Sequence, residues 1–168
     1  KYYVQGHNLD DFIEDIEKYN VIVTYNGKTF DVPFIEKHFR TSLNHAHIDL
    51  RYVLKSLGYS GGLKKCEKAM GIDRGNLDGV DGYFAVLLWH DYQQNQNEKA
   101  LETLLAYNIE DVVNLEILMV MAYNMRIKAT PFAKTHRLPL PKVPKIPFKP
   151  DSETIDRIRQ QAFSLYGF

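Results

Sequence analysis

Cysteine is almost missing from this chain. Cys66 is the only one in 168 residues, so no intrachain disulfide and no cysteine-rich zinc site can form. Its setting in a short helical pattern fits a small buried apolar residue, and such cysteine usage suits a reducing, cytoplasmic compartment. Long apolar runs are missing as well. The longest span only a few residues, which excludes a transmembrane helix, and no secretory signal is visible. Acidic residues are absent from residues 117–150, where Arg126, Lys128, Lys134, Arg137, Lys142, Lys145 and Lys149 supply seven positive charges. Net charge is zero, so the remainder carries −7. An acidic body with a basic arm suits a carboxylate metal site beside a phosphate-binding surface, although a solvated basic linker has the same composition. The first residue is Lys, not Met, and the start reads as an artificial or domain boundary.

What is present is enough for a core. The chain is 45% apolar and 12% aromatic, and its 25% charged content is ordinary for a globular domain. Residues 1–5 read as a strand through Tyr2, Tyr3 and Val4. Asn8 reads as a helix cap, with Leu9, Phe12, Ile13 and Ile16 at helical spacing and Asn20 at the end. The β-branched run at residues 21–25 predicts a buried strand. Asn26-Gly27 is a turn signal. Asp31 and Pro33 open a further helix whose inner face is drawn from Phe34, Ile35, His38 and Phe39. Residues 47–50 predict a short strand feeding a helix through Val53, Leu54 and Leu57 that stops at Gly58. Gly61-Gly62 is a loop before a short helix at residues 63–70, and residues 72–81 read as loop. Residues 82–92 predict a helix burying Phe84, Leu87 and Leu88. Residues 93–97 read as a polar turn. A helix through Leu101, Leu104 and Leu105 breaks at Tyr107. Asn108 then caps another helix, through Val112, Leu115, Leu118 and Ala122.

The expected organisation has three parts. Residues 1–128 form the core, residues 129–150 a Pro-rich basic extended arm, and residues 151–168 an amphipathic helix on Ile155, Ile158, Ala162 and Leu165. Strands followed by helices with short connections argue for an α/β sandwich with a mixed sheet flanked by helices. Few strands are visible for such a fold, so others are expected upstream of Lys1.

Two motifs carry the chemistry. Asn26-Gly27-Lys28-Thr29-Phe30-Asp31 places a carboxylate just past a strand. Tyr107-Asn108-Ile109-Glu110-Asp111 places another four residues after a tyrosine. Phosphodiester hydrolysis needs an activated water and stabilisation of the leaving oxygen, and paired divalent ions do both. Mg2+ and Mn2+ prefer oxygen ligands, so Asp31 and Asp111 are candidate metal ligands. Tyr107 shares a face with Asp111 if the helix is continuous, and its hydroxyl is then a candidate to orient the attacking water. Asn26 either holds the loop or bonds the substrate backbone. Taken singly, each of these residues has an ordinary structural role as turn, cap or core residue, and only their order and spacing together raise the chemical reading.

These motifs resemble the second and third motifs of the DEDD superfamily of exonucleases, in its tyrosine subclass, within the RNase H-like fold. The YprB-type RNase H-like domain is the nearest likeness, spanning residues 2–121 and including His47-Ile48-Asp49-Leu50 and residues 62–72. The resemblance implies 3′-to-5′ cleavage of DNA or RNA at single-stranded 3′ ends, with two Mg2+ or Mn2+ ions. It also implies a first motif, Asp-x-Glu on the first strand, which this chain lacks. Asp15-Ile16-Glu17 is not that motif, because it lies within an amphipathic helix too close to Asn26. An upstream strand is therefore expected to carry it, and these residues alone are expected to bind metal weakly and to lack robust nuclease activity. The alternative is a non-catalytic nucleic-acid-binding or scaffolding domain of the same fold, whose Pro-rich arm recruits a protein partner. An unrelated α/β protein with accidental motifs is the remaining alternative.

Other residues are weaker candidates. Lys64 and Lys65 could face a phosphate backbone or simply solvent. Asp49 could approach the site or act as a cap. Asp78 and Asp81 suit turns. Tyr83 and Trp89 could stack on bases or pack in a core. The six histidines show no metal-binding spacing.

Overall fold

A computed structural model describes residues 1–73 and 81–166, with side chains through Ala162. The chain divides into two units. The first comprises Lys1–Asp73 and Val112–Val143, and the second Arg74–Asp111 and Pro144–Phe168. The described residues form a helix-rich α/β fold with one small parallel sheet. No described helix is long and apolar enough to cross a membrane.

In the first unit, α1 (Asp11–Ile16) precedes β1 (Val21–Thr24), α2 (Asp31–Phe39), β2 (Ala46–Asp49), α3 (Leu50–Lys55) and α4 (Leu63–Ala69). Parallel strands need a crossover, and α2 supplies it between β1 and β2. Their register runs from Val21 opposite Ala46 to Thr24 opposite Asp49. Both strands therefore end at the same edge, and the turn after β1 and the start of α3 leave from one place. In α/β sheets ligands are taken at such carboxyl ends. The core beneath is Leu50, Leu54, Cys66, Leu115, Leu118 and Ala122, with Val23, Tyr25, Leu63 and Met70 packed against it. Glu67 is fully buried there and accepts a 2.9 Å hydrogen bond from the Asn114 amide.

The second unit holds α5 (Gly82–Asn95), the first part of α6 (Glu98–Ile127) and α7 (Ser152–Tyr166). Phe84, Leu88, Ala100, Leu104, Tyr107, Ile155 and Ile158 form its core. Asp81 caps α5 by accepting from the Phe84 N–H at 2.9 Å, and Asp151 caps α7 by accepting from Thr154 N–H at 2.9 Å. Asp91, buried, accepts both guanidinium arms of Arg157 at 3.1 and 2.6 Å, together with the amides of Asn95 and Asn97. Arg157 foremost holds the Asp91 carboxyl below its usual range.

Several local expectations change. Residues 1–5 are not a strand. The Val4 carbonyl accepts from His7 and Asn8 N–H, and the Val4 N–H donates to the Asn8 side chain, so this backbone is committed to a turn. Asn8 therefore closes that turn and does not cap α1. β1 is half-exposed, not buried, with one strand neighbour among the described residues. On α2 the inward stripe is Val32, Ile35 and Phe39. Phe34 is 72% exposed and stacks on His38, so neither belongs to an inner face. α5 runs on to Asn95, taking in most of the expected polar turn. The break at Tyr107 does not occur. α6 is one helix of 30 residues, and its sequence contains no Gly or Pro to interrupt it. Val112 lies exposed on it. The arm contains a short 3-10 helix, Pro131–Lys134, and is otherwise irregular and mostly exposed. Asn124 anchors it, donating to the Leu138 carbonyl at 2.8 Å and accepting from the Leu138 N–H at 2.9 Å.

Candidate functional site

The turn after β1 is built around a buried carboxylate. Asp49 ends β2 at 5% exposure. One of its oxygens accepts from Asn26 N–H at 2.7 Å and Arg51 N–H at 3.0 Å, and the other from Lys28 N–H at 3.0 Å. It thus caps α3 and fixes the turn together. Asn26 has φ 68°, a left-handed conformation that Asn tolerates better than most residues. Its side-chain carbonyl accepts from the Thr29 hydroxyl at 3.0 Å and from the Arg51 guanidinium. Gly27 has no alternative, because a Cβ would lie 2.6 Å from the Thr24 side chain. Its carbonyl accepts from Val32 N–H at 2.8 Å, which closes the loop onto α2.

Asp31 is the first residue of α2, and it is exposed. Partial desolvation, and secondarily the negative charge of Asp49, push its carboxyl above the usual range against an opposing backbone hydrogen bond. Such a carboxylate gains from an added cation. Asp49 itself is saturated by three N–H groups and acts as a positioning residue for the Asn26–Asp31 turn.

Tyr107 and Asp111 lie within α6, one turn apart on an unbroken helix, so they share one face. Tyr107 is 7% exposed, with its ring in the core of the second unit. Asp111 is half-buried. Asn26 and Asp31 belong to the first unit, Tyr107 and Asp111 to the second.

Among the described residues no group of three or more His, Cys, Asp or Glu side chains gathers to hold a metal ion. Asp31 and Asp111 each offer carboxylate oxygen, the donor that Mg2+ and Mn2+ prefer. Asp15 is excluded as a ligand, since its carboxylate accepts from Lys1 at 2.5 Å, Tyr3 at 2.8 Å and Lys18 at 2.8 Å. Those partners, Lys1 first, hold it well below the carboxylate range, while burial and then Asp15 lift the Tyr3 phenol to about 12. Asp78 lies outside the described residues. Trp89 is partly buried against the second core, whereas Tyr83 is exposed.

A cleft of about 450 Å³ opens beside the Asn26 turn, lined by Tyr25, Asn26, Arg51, Lys55, Ser60, Gly61 and Gly62. Lys64 and Lys65 do not line it. Lys64 is half-buried, and the stem of Lys65 crowds the position a Gly61 Cβ would occupy. Arg51 and Lys55 escaped the sequence reading. Their only signal is their i,i+4 spacing directly after Asp49.

A family model described as RNase H superfamily matches residues 1–123. No curated protein and no solved structure matches the chain.

Proposed function

We propose, from the premise that this chain belongs to the RNase H superfamily and so to nuclease-type nucleic-acid processing, that it is the core of a metal-dependent 3′–5′ exonuclease of the DEDD tyrosine subclass. Its substrate is DNA or RNA with single-stranded 3′ ends, and its full fold is a sandwich with a mixed sheet. The observation that carries the proposal is the Asn26–Asp31 turn. Asp49, Gly27 and Arg51 brace it, and it delivers an exposed carboxylate whose ionised form is disfavoured until a cation arrives.

In this proposal Asp31 and Asp111 hold Mg2+ or Mn2+. When bound, the metal supplies Lewis-acid stabilisation of the phosphoryl oxygens and a more acidic water. Tyr107 orients that water through its hydroxyl. Asn26 keeps the turn closed and leaves its Nδ2 amide for the substrate, and Lys64 and Lys65 add positive charge along the strand. Two carboxylates cannot fill a two-ion site, so cleavage by these residues is weak or absent.

The test is cleavage of a 5′-labelled single-stranded oligonucleotide in Mn2+ and in EDTA, with Mn2+ affinity measured in parallel. The expected result is weak Mn2+ binding that Asp31→Asn and Asp111→Asn each reduce at least tenfold, with at most a slow ladder from the 3′ end. Unchanged Mn2+ affinity in both variants overturns the ligand assignment. Brisk metal-dependent degradation overturns the claim of an incomplete site.

The lack of a three-ligand cluster among the described residues favours a second reading, a non-catalytic nucleic-acid-binding or scaffolding domain whose arm recruits a partner. Oligonucleotide binding that persists in EDTA, without any cleavage in Mn2+, selects it.

A further inference from the structure

The cleft beside the Asn26 turn offers donors and almost no acceptors. Arg51 and Lys55 sit one turn apart on α3 and both line it. Among the described residues neither is in an ion pair. Most acceptors nearby are already engaged, and the Ser60 hydroxyl can donate as well as accept. The Asn26 side-chain carbonyl takes the Arg51 guanidinium and the Thr29 hydroxyl, and the Gly61 carbonyl takes the Tyr25 hydroxyl. Asp49 is turned to three backbone N–H groups. The cleft thus faces solvent with the remaining guanidinium N–H groups of Arg51, the Lys55 ammonium and the Asn26 Nδ2 amide, which makes no hydrogen bond among the described residues.

The walls are also held in shape. Tyr25 packs against the first core, and its hydroxyl contacts Gly61 O and, at 3.4 Å, Cys66 Sγ. Burial foremost, and then Cys66, keep that phenol protonated and donating by raising its pKa. Gly61 has φ 116°, which only glycine adopts readily, and a Cβ on Gly62 would meet nothing within 4 Å. The two adjacent glycines put no side chain of their own over the cleft, and the Lys65 stem lies against Gly61. Asn26 anchors Arg51, so one guanidinium edge is oriented before any ligand arrives.

A planar fork and a point charge converging with an amide suit a tetrahedral oxyanion. The volume exceeds that of a bare anion and falls in the range of small-molecule sites, so it accommodates a phosphate with its attached sugar. We propose that Arg51, Lys55 and Asn26 form a phosphate subsite for the backbone of single-stranded nucleic acid. It rests on the nucleic-acid reading above and adds to it the residues that grip the strand next to Asp31. Lys64 and Lys65 lie outside this grip.

The experiment is salt-dependent binding of a labelled single-stranded oligonucleotide to the full chain, by fluorescence anisotropy in EDTA. EDTA removes metal, so the result is independent of cleavage. Each lost phosphate contact makes the slope of log affinity against log salt shallower by about 0.7. Lys55→Gln is expected to show that change at unaltered thermal stability, because Lys55 is exposed. Arg51→Gln/Lys55→Gln is expected to show about twice the change. Wild-type slope in folded Lys55→Gln overturns the proposal. Competition separates the sources of phosphate. Inorganic phosphate or a nucleoside 5′-monophosphate that binds in a Lys55-dependent manner, while the oligonucleotide slope ignores Lys55, makes this a free-phosphate site and rejects the strand contact. Failure of the exonuclease proposal looks different, with the slope change intact and no Mn2+-dependent ladder.

Discussion

Asp49 shows how one side chain sets the geometry of another. Its carboxylate receives three backbone N–H groups, from the turn that leads to Asp31 and from the start of α3. Removing it leaves those donors unsatisfied under a partly buried turn. Hydrogen bonds to a charged group contribute about 1.5–3 kcal/mol each, less where water can enter. Asp49→Ala should therefore destabilise the chain by about 3 kcal/mol in urea titrations, and Asp49→Asn by less. Asp31 has the opposite character. Its carboxyl titrates above the unfolded value of 3.8, so folding favours its protonated form. That contribution is present at low pH and is lost as pH rises from 3.8 through the raised value. Asp31→Asn should accordingly melt higher than wild type at pH 7, and the gain should vanish below pH 3.8. Equal melting at both pH values would remove the strained-carboxylate account. Asp49 was recognisable from the sequence as a cap. Its hold on the Asn26 turn was not, because that depends on Thr24 standing opposite Asp49 across two strands.

At the scale of elements, α6 is where local signals misled. Asn108 after a tyrosine looks like a cap, yet propensity across the whole segment favours one helix, with no Gly or Pro in thirty residues. Asn108 is exposed, so Asn108→Pro tests continuity with little loss of packing. It should cost about 3 kcal/mol or more and reduce helical circular dichroism. A near-neutral result would restore the break. The α5–α7 connection shows a different limit. Asp91 and Arg157 are 66 positions apart, and nothing in either neighbourhood announces the pair. Arg157→Ala should cost about 2 kcal/mol, since Arg157 is part-exposed while Asp91 is buried. The Asp91 carboxyl is depressed, so the pair stabilises above pH 3.8 and fails as pH falls through the lowered value. The variant should lose that part of the acid sensitivity of unfolding. Strong periodicity made α7 readable in advance, and β1 was readable from its branched residues. The orientation of α2 was not, because Phe34 and His38 satisfy helical spacing as well as Val32 and Ile35 do.

For the whole molecule, membership of the RNase H superfamily and a coarse α/β fold were readable in the sequence. The RNase H superfamily match spans residues 1–123. What sequence could not supply was the cationic cleft, which appears only when α3 and the glycine loop meet beside Asn26. Metal linkage gives a global check. A cation that binds only the folded state at a hundredfold above its dissociation constant stabilises by about 2.7 kcal/mol. Saturating Mn2+ should raise the melting temperature of wild type, and Asp31→Asn should abolish the increase. The same rise in both proteins would place the ion elsewhere.

The paired bonds between Asn124 and the Leu138 main chain bring fourteen positions of sequence back onto α6. Arg126, Lys128, Lys134 and Arg137 all fall inside that closed span. A trypsin nick within it would sever the polypeptide while Ile155 and Ile158 keep the downstream helix in the second core, so cleavage should show on a denaturing gel while the native particle migrates as before.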